Sequence, residues 1–201
     1  MQYPDIADRL IALARADHKM RQHLIDTGQL SDGYHTEMRN VHLRNADALG
    51  RILTDVGYPT PAKVGDEASA AAWLIVQHAI ECPSLMRTAC ALLCIAVESC
   101  EAEAVHLAYL SDRIAVYSGE PQQYGTQFDW DAAGMMSPYP VDDVVAVDRR
   151  REALGLYPLA EQTQVMRRQA AREKQSPPAD WIQRQADFEA WRKRIGWVQE
   201  G

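Results

Sequence analysis

Several polar side chains stand where the helical pattern calls for apolar ones, and they are the residues that could do chemistry. In the first amphipathic stretch, Leu10, Ala14 and Leu24 define an apolar face, and Asp17 and Arg21 project from the middle of it. The two are four positions apart, a spacing at which helical side chains can pair. A charged pair on a core-facing stripe costs several kcal/mol of desolvation per ion, roughly, unless it is well satisfied. Two readings stay open: a structural ion pair, or a site wall with Asp17 as acid or base and Arg21 as an anion clamp. Further on, Gln77-His78 interrupts a run that is otherwise apolar from Ala68 to Ile80. A buried neutral histidine satisfied by a carbonyl is one explanation; a general base is the other, since imidazole titrates near neutrality. Asn45 falls on the stripe with Leu49 and Ile52, bonding either a neighbouring backbone or a ligand.

A second set lies later. Asp112-Arg113 is followed by Gln122-Gln123-Tyr124-Gly125-Thr126-Gln127. Gln122, Tyr124, Thr126 and Gln127 offer neutral donors and acceptors of the kind that give a small-molecule pocket its specificity. Gly125 permits a bend that lets them converge. A plain turn with solvated side chains is the alternative. Arg149-Arg150-Arg151 is a basic triplet, read as a solvated helix face or, through Arg150, as a carboxylate or phosphate contact. His18, His23, His35, His42 and His106 stand out less. P-loop, GxGxxG, HExxH and GxSxG patterns are absent.

Cys82, Cys90, Cys94 and Cys100 fall within nineteen residues. With His78 they suggest a metal site, but no CxxC pair exists and the surroundings are apolar, so free thiols behaving as small hydrophobes are expected. The expectation is a protein without metal or other cofactor.

These residues need helices to hold them. Apolar periodicity predicts helices at about 4–27, 43–56, 66–80, 84–100 and a short one at 101–111. Gly57-Tyr58-Pro59-Thr60-Pro61 ends the second, because proline cannot continue a helix. Residues 29–41 read as polar connection with a turn at Ser31-Asp32-Gly33. Ile114 and Val116 then alternate with Ala115 and Tyr117, which predicts a β-hairpin over 113–128. Residues 129–141 read as irregular, a helix at 142–154 closes on Gly155, and Ser176-Pro177-Pro178 precedes a last helix at 179–195 carrying Trp181, Phe188 and Trp191. The fold class is therefore mainly α: a helical bundle with a small β-hairpin. The core domain is expected at 1–160 and a separable helical appendage at 161–201.

The chain has 201 residues, 47% hydrophobic and 24% charged, which suits one globular core with an appendage. Acidic residues outnumber basic ones, 28 to 21, for a formal charge of −7. That argues against nucleic acid as a partner. Uncharged runs are too short to span a bilayer, which takes about 20 apolar residues. The N-terminus lacks a signal-peptide pattern, so a cytoplasmic location without membrane contact is expected.

At the level of motifs the chain resembles a family of uncharacterised bacterial proteins classed as a domain of unknown function. The resemblance rests on Asp17…Arg21, the Gly57-Tyr58-Pro59-Thr60 turn, and Val64-Gly65…Ala68-Ser69…Ala71-Ala72-Trp73-Leu74-Ile75-Val76-Gln77-His78-Ala79. It continues in Asp112-Arg113…Gly119…Gln122…Tyr124-Gly125-Thr126-Gln127 and in Val147-Asp148…Arg150-Arg151…Gly155-Leu156. It covers about 5–160. Tyr58 stands where the family usually has Trp, and His18 where it often has Gln. The resemblance implies no particular activity, but its motifs coincide with the polar residues picked out above.

The functional expectation is a small cofactor-independent enzyme. His78 moves a proton, Asp17 orients it or shares the work, and Arg21 or Arg150 holds an anionic group of a small substrate. Asn45, Gln77, Asp112, Arg113, Gln122, Tyr124, Thr126 and Gln127 complete the pocket. The alternative is a non-catalytic binding or protein-interaction module with a buried structural polar network, whose residues 179–195 support a homo-oligomer.

Overall fold

A computed structural model describes residues 1–29 and 35–198. The expected Ser31-Asp32-Gly33 turn lies outside the described residues. The fold is mainly α with one small antiparallel hairpin, and the chain divides into two compact units, Met1–Glu103 and Ala104–Gly201.

The first unit is a helical bundle. Helix α1, Pro4–Asp26, begins on a proline that fits the first turn and carries Asp5 near its positive end. Its buried face runs Ala7, Leu10, Ala14, Asp17, Leu24, so the stripe expected from periodicity is real and Asp17 is part of it. Helix α2, Thr36–Val56, starts seven residues before the expected 43. His35 caps it, its ring nitrogen accepting from Glu37 N–H. Its buried face is Met38, Val41, His42, Asn45, Ala46, Ala48, Leu49, Ile52 and Leu53. The early turns read as loop because they are mostly polar in sequence and His42 occupies a core position that a pattern of apolar residues does not mark.

Gly57 and a one-turn helix α3, Pro61–Val64, reverse the chain. Lys63 Nζ donates to the last carbonyls of that corner, Val56 O and Tyr58 O, at 2.7 and 3.1 Å. Helix α4, Asp66–His78, packs on both α1 and α2, and α5, Pro83–Glu98, follows after Cys82-Pro83. All four cysteines are free thiols.

The second unit opens with α6, Ala104–Ser118. This overturns the expected strand at 113–118. Ala108, Asp112 and Val116 are buried at a spacing of four, so the helical period continues through residues whose short alternation looked like β. The hairpin lies further on, where irregular chain was expected: β1, Phe128–Trp130, pairs antiparallel with β2, Met136–Pro138, with Asp129 opposite Ser137. Asp131 closes its turn by accepting from Ala133 N–H, Met135 N–H and the Ser137 hydroxyl, at 2.8–2.9 Å.

Helix α7, Val147–Glu152, is shorter than the expected 142–154, because Asp143 takes the N–H groups of Val145 and Ala146 in a turn of its own. Helix α8, Leu159–Arg172, and helix α9, Trp181–Ile195, complete the unit. Arg167 of α8 donates to Met136 O on β2, and Trp181 of α9 donates from Nε1 to Trp130 O on β1, both at 2.9 Å. Both helices thus bond to the hairpin of their own unit. No described helix is long and apolar enough to cross a membrane.

Candidate functional site

Three helices of the first unit bring three ionisable side chains to one point. Asp17 comes from the middle of α1, His42 from the second turn of α2, and His78 is the last residue of α4. Asp17 Oδ2 lies 2.7 Å from His78 Nδ1 and 3.2 Å from His42 Nε2. The two imidazole rings sit 4.7 Å apart, tilted by 36°. The Asp17 and His42 side chains are 1% and 10% exposed, while that of His78 is 31% exposed. One member of the cluster therefore reaches the surface and two support it from below.

The electrostatics follow from this geometry. Burial pushes the Asp17 carboxyl up, but the hydrogen bonds and charge of His42 and His78 outweigh it, and the net effect holds the group well below the usual carboxylate range. Asp17 is thus an anion inside a helical bundle. Its second oxygen, Oδ1, is equally buried and has no hydrogen-bond donor among the described residues. His78 turns Nδ1 to the carboxylate; a ring protonated there would donate to Asp17 and leave Nε2 as a base, and a ring protonated on Nε2 would leave Nδ1 as a ligand. Among the described residues, Asp17, His42 and His78 are also the group of His, Cys, Asp and Glu side chains placed to share a metal ion, with ligand atoms all within 4.8 Å of one another. The cysteines do not join it.

The remaining sequence candidates divide. Arg21 does not pair with Asp17; it is exposed one turn further along α1. Asn45 is buried and donates from Nδ2 to Leu13 O at 3.1 Å, the backbone-bonding alternative left open for it. Gln77, the residue before His78, is buried.

In the second unit the polar loop is bonded to itself. Asp112 accepts from the N–H groups of Gln123, Tyr124 and Thr126 and from the Thr126 hydroxyl, at 2.9–3.2 Å. Gln122 is fully buried; its amide donates to Gln127 O and Tyr139 O and accepts from Gln127 N–H. Arg113 donates from Nε to Gln127 Oε1 at 3.0 Å, and burial pushes its guanidinium down. Arg150 forms a two-pronged pair with Asp142. Gly125 has φ +62°, and a Cβ there would stand 2.7 Å from Leu159 Cδ1, so the bend requires glycine.

Two important residues escaped the sequence reading. His42 was passed over because the helix was started at 43, which kept it off the stripe it shares with Asn45 and Leu49. Arg151 was read as part of a solvated triplet, yet it is 2% exposed and spans the loop, donating to Tyr157 O and Tyr124 O at 2.6 Å each. Only three-dimensional packing separates it from Arg149 and Arg150.

No curated protein and no solved structure matches the chain. Residues 4–174 match the profile of the family of unknown function DUF6624, and the chain belongs to that family.

Proposed function

We propose that the protein is a small enzyme whose reactive centre is the Asp17–His42–His78 cluster, moving a proton to or from a small polar substrate. The observation that carries this reading is a fully buried, ionised carboxylate holding an imidazole at 2.7 Å whose ring reaches the surface. A buried anion is costly, and a chain that needs only stability tends to do as well with apolar residues of the same size. An ionised aspartate behind a histidine fixes its tautomer and stabilises the imidazolium formed when the ring takes a proton. Asp17 is the anchor, His78 the face shown to substrate, and His42 the second ring that shares the carboxylate. Arg21, exposed one turn from Asp17, is the cation available to an anionic group.

The Asp112–Gln127 loop is left out of this centre, because its polar atoms are spent on its own backbone. The reading is tested by a melting-temperature screen of small carboxylates and phosphate esters, with hits then assayed for turnover. A ligand that binds the folded state raises the melting temperature by mass action. The expected result is a hit that stabilises the wild type, is consumed by it, and binds more weakly to Arg21→Gln. Hits that bind equally well to Asp17→Asn and His78→Gln would overturn the assignment.

A further inference from the structure

The cluster has a feature that hydrogen bonding alone does not explain. A carboxylate has two oxygens and about four lone-pair sites. A structural network would spread two neighbouring imidazoles over both oxygens, since a buried acceptor without a donor costs about 1–3 kcal/mol. Here both ring nitrogens converge on Oδ2, at 2.7 and 3.2 Å, and the equally buried Oδ1 receives no donor from the described residues. Three donor atoms gathered about one point, with the carboxylate used through a single oxygen, is the arrangement of ligands around an ion.

We propose that Asp17 Oδ2, His42 Nε2 and His78 Nδ1 bind one divalent first-row transition-metal ion, of the zinc or ferrous class, through two imidazoles and one carboxylate. This rests on the reading of the cluster as the reactive centre and names what works there. Such ions take imidazole nitrogen and carboxylate oxygen at about 2.0–2.2 Å. Ligands at that radius around a tetrahedral ion stand about 3.3 Å apart; His42 already stands near that distance from Asp17, the two ring nitrogens, within 4.8 Å of each other, need to close on the ion, and His78 needs to withdraw from Asp17 by roughly half an ångström. That movement is open to it, because it ends α4 and is the exposed member. Calcium and magnesium are disfavoured, since they select oxygen donors.

The charge also fits. Asp17 brings a carboxylate into the interior of a helical bundle, and a divalent ion supplies the opposite charge. Three protein ligands leave a coordination position open, the pattern of catalytic and not of structural zinc sites. An ion held there would supply a bound water of lowered pKa, about 7, as the proton-moving group, and His42 and His78 would then serve as its ligands. The four cysteines have no part in the site. This departs from the cofactor-free expectation, which had weighed metal binding only around those thiols.

The test uses the full chain, stripped with chelator and titrated with cobalt(II), whose visible d–d bands report coordination directly. The expected result is one equivalent bound per chain, an absorption pattern of low coordination number, displacement by zinc, and a higher melting temperature with metal. The bands should persist when all four cysteines are replaced by serine, and should weaken at least about tenfold in apparent affinity in His42→Gln and in Asp17→Asn. Circular dichroism of each variant separates lost ligation from lost folding. Wild-type protein that is folded yet shows no stoichiometric cobalt or zinc binding overturns the proposal, and so do bands that vanish with the cysteines. The first of those outcomes, together with loss of substrate turnover in His78→Gln, would sink the metal while leaving a metal-free reactive centre standing.

Discussion

Asn45 donates its side-chain amide to the carbonyl of Leu13 at 3.1 Å, and this bond sets the register of α1 on α2. Leu13 lies one turn before Asp17, and Asn45 lies one turn after His42. The bond is therefore a spacer that fixes how far Asp17 and His42 stand from each other. Asn45→Ala should cost about 1–2 kcal/mol of stability, the worth of a buried hydrogen bond and some packing. It should also weaken cobalt binding at the cluster, although Asn45 is no ligand. Lost stability with unchanged affinity would reduce Asn45 to a packing residue.

Asp112 gives the opposite expectation. Its carboxylate collects three backbone N–H groups and one hydroxyl from the 123–126 loop. Asp112→Asn turns one of those acceptor oxygens into a donor facing N–H groups. We expect a loss of about 2–4 kcal/mol in denaturant unfolding of the second unit, with metal and ligand binding at Asp17–His42–His78 unchanged. A variant of native stability that fails to bind ligand would return the loop to the reactive centre.

The hairpin turn should respond to acid. The Met135 N–H, then the Ser137 hydroxyl, hold the Asp131 carboxyl below its ordinary value; burial pushes it up, and the Ala133 N–H and Arg167 charge lower it further. An unfolded aspartate titrates near about 3.9. Because the folded value is the lower one, the contribution of Asp131 is complete above the unfolded value and is lost as pH falls through the folded value. The amide resonances of Ala133 and Met135 should move below that ordinary range in the wild type and not in Asp131→Asn. Movement at or above the ordinary value would contradict the turn geometry.

Much of the frame was legible in the pattern of apolar residues. The first, fourth and fifth helices fell close to where a period of 3.6 put them, and Asp17 and His78 were visible as breaks in that period. What was lost has a common cause. His42 stands at a core position of α2 where an apolar residue would mark the stripe, so the turns before residue 43 looked like connection. Residues 114–117 alternate over so short a span that helix and strand cannot be told apart without knowing that Asp112 is turned inward to accept the loop amides. The convergence of Asp17, His42 and His78 spans 61 positions between its outer members, and no local rule reaches that far.

The last helix bears on the division of the chain. Tyr117 of α6 meets Trp191 and Trp197 edge-on or tilted at 5.3 and 5.2 Å, and Arg192 donates to Val116 O and Tyr117 O. An appendage would be separable; these contacts predict that ending the chain after residue 175 lowers the melting temperature by several degrees and uncovers apolar surface to a hydrophobic dye. An unchanged melting curve would support a separable appendage instead.

The central claim is that Asp17 and His78 meet in order to work and not merely to hold helices together. The most direct measurement compares ligand response and melting in His78→Gln, using the best stabilising ligand of the wild type. The amide can replace one hydrogen bond to Asp17 but can neither exchange a proton nor offer a ring-nitrogen lone pair, so fold and function should part. We predict a melting temperature within about 2–4 °C of the wild type, corresponding to a loss near 1 kcal/mol for a chain of this length, together with abolished turnover and ligand response. A stable variant with full turnover and full ligand response would contradict the account.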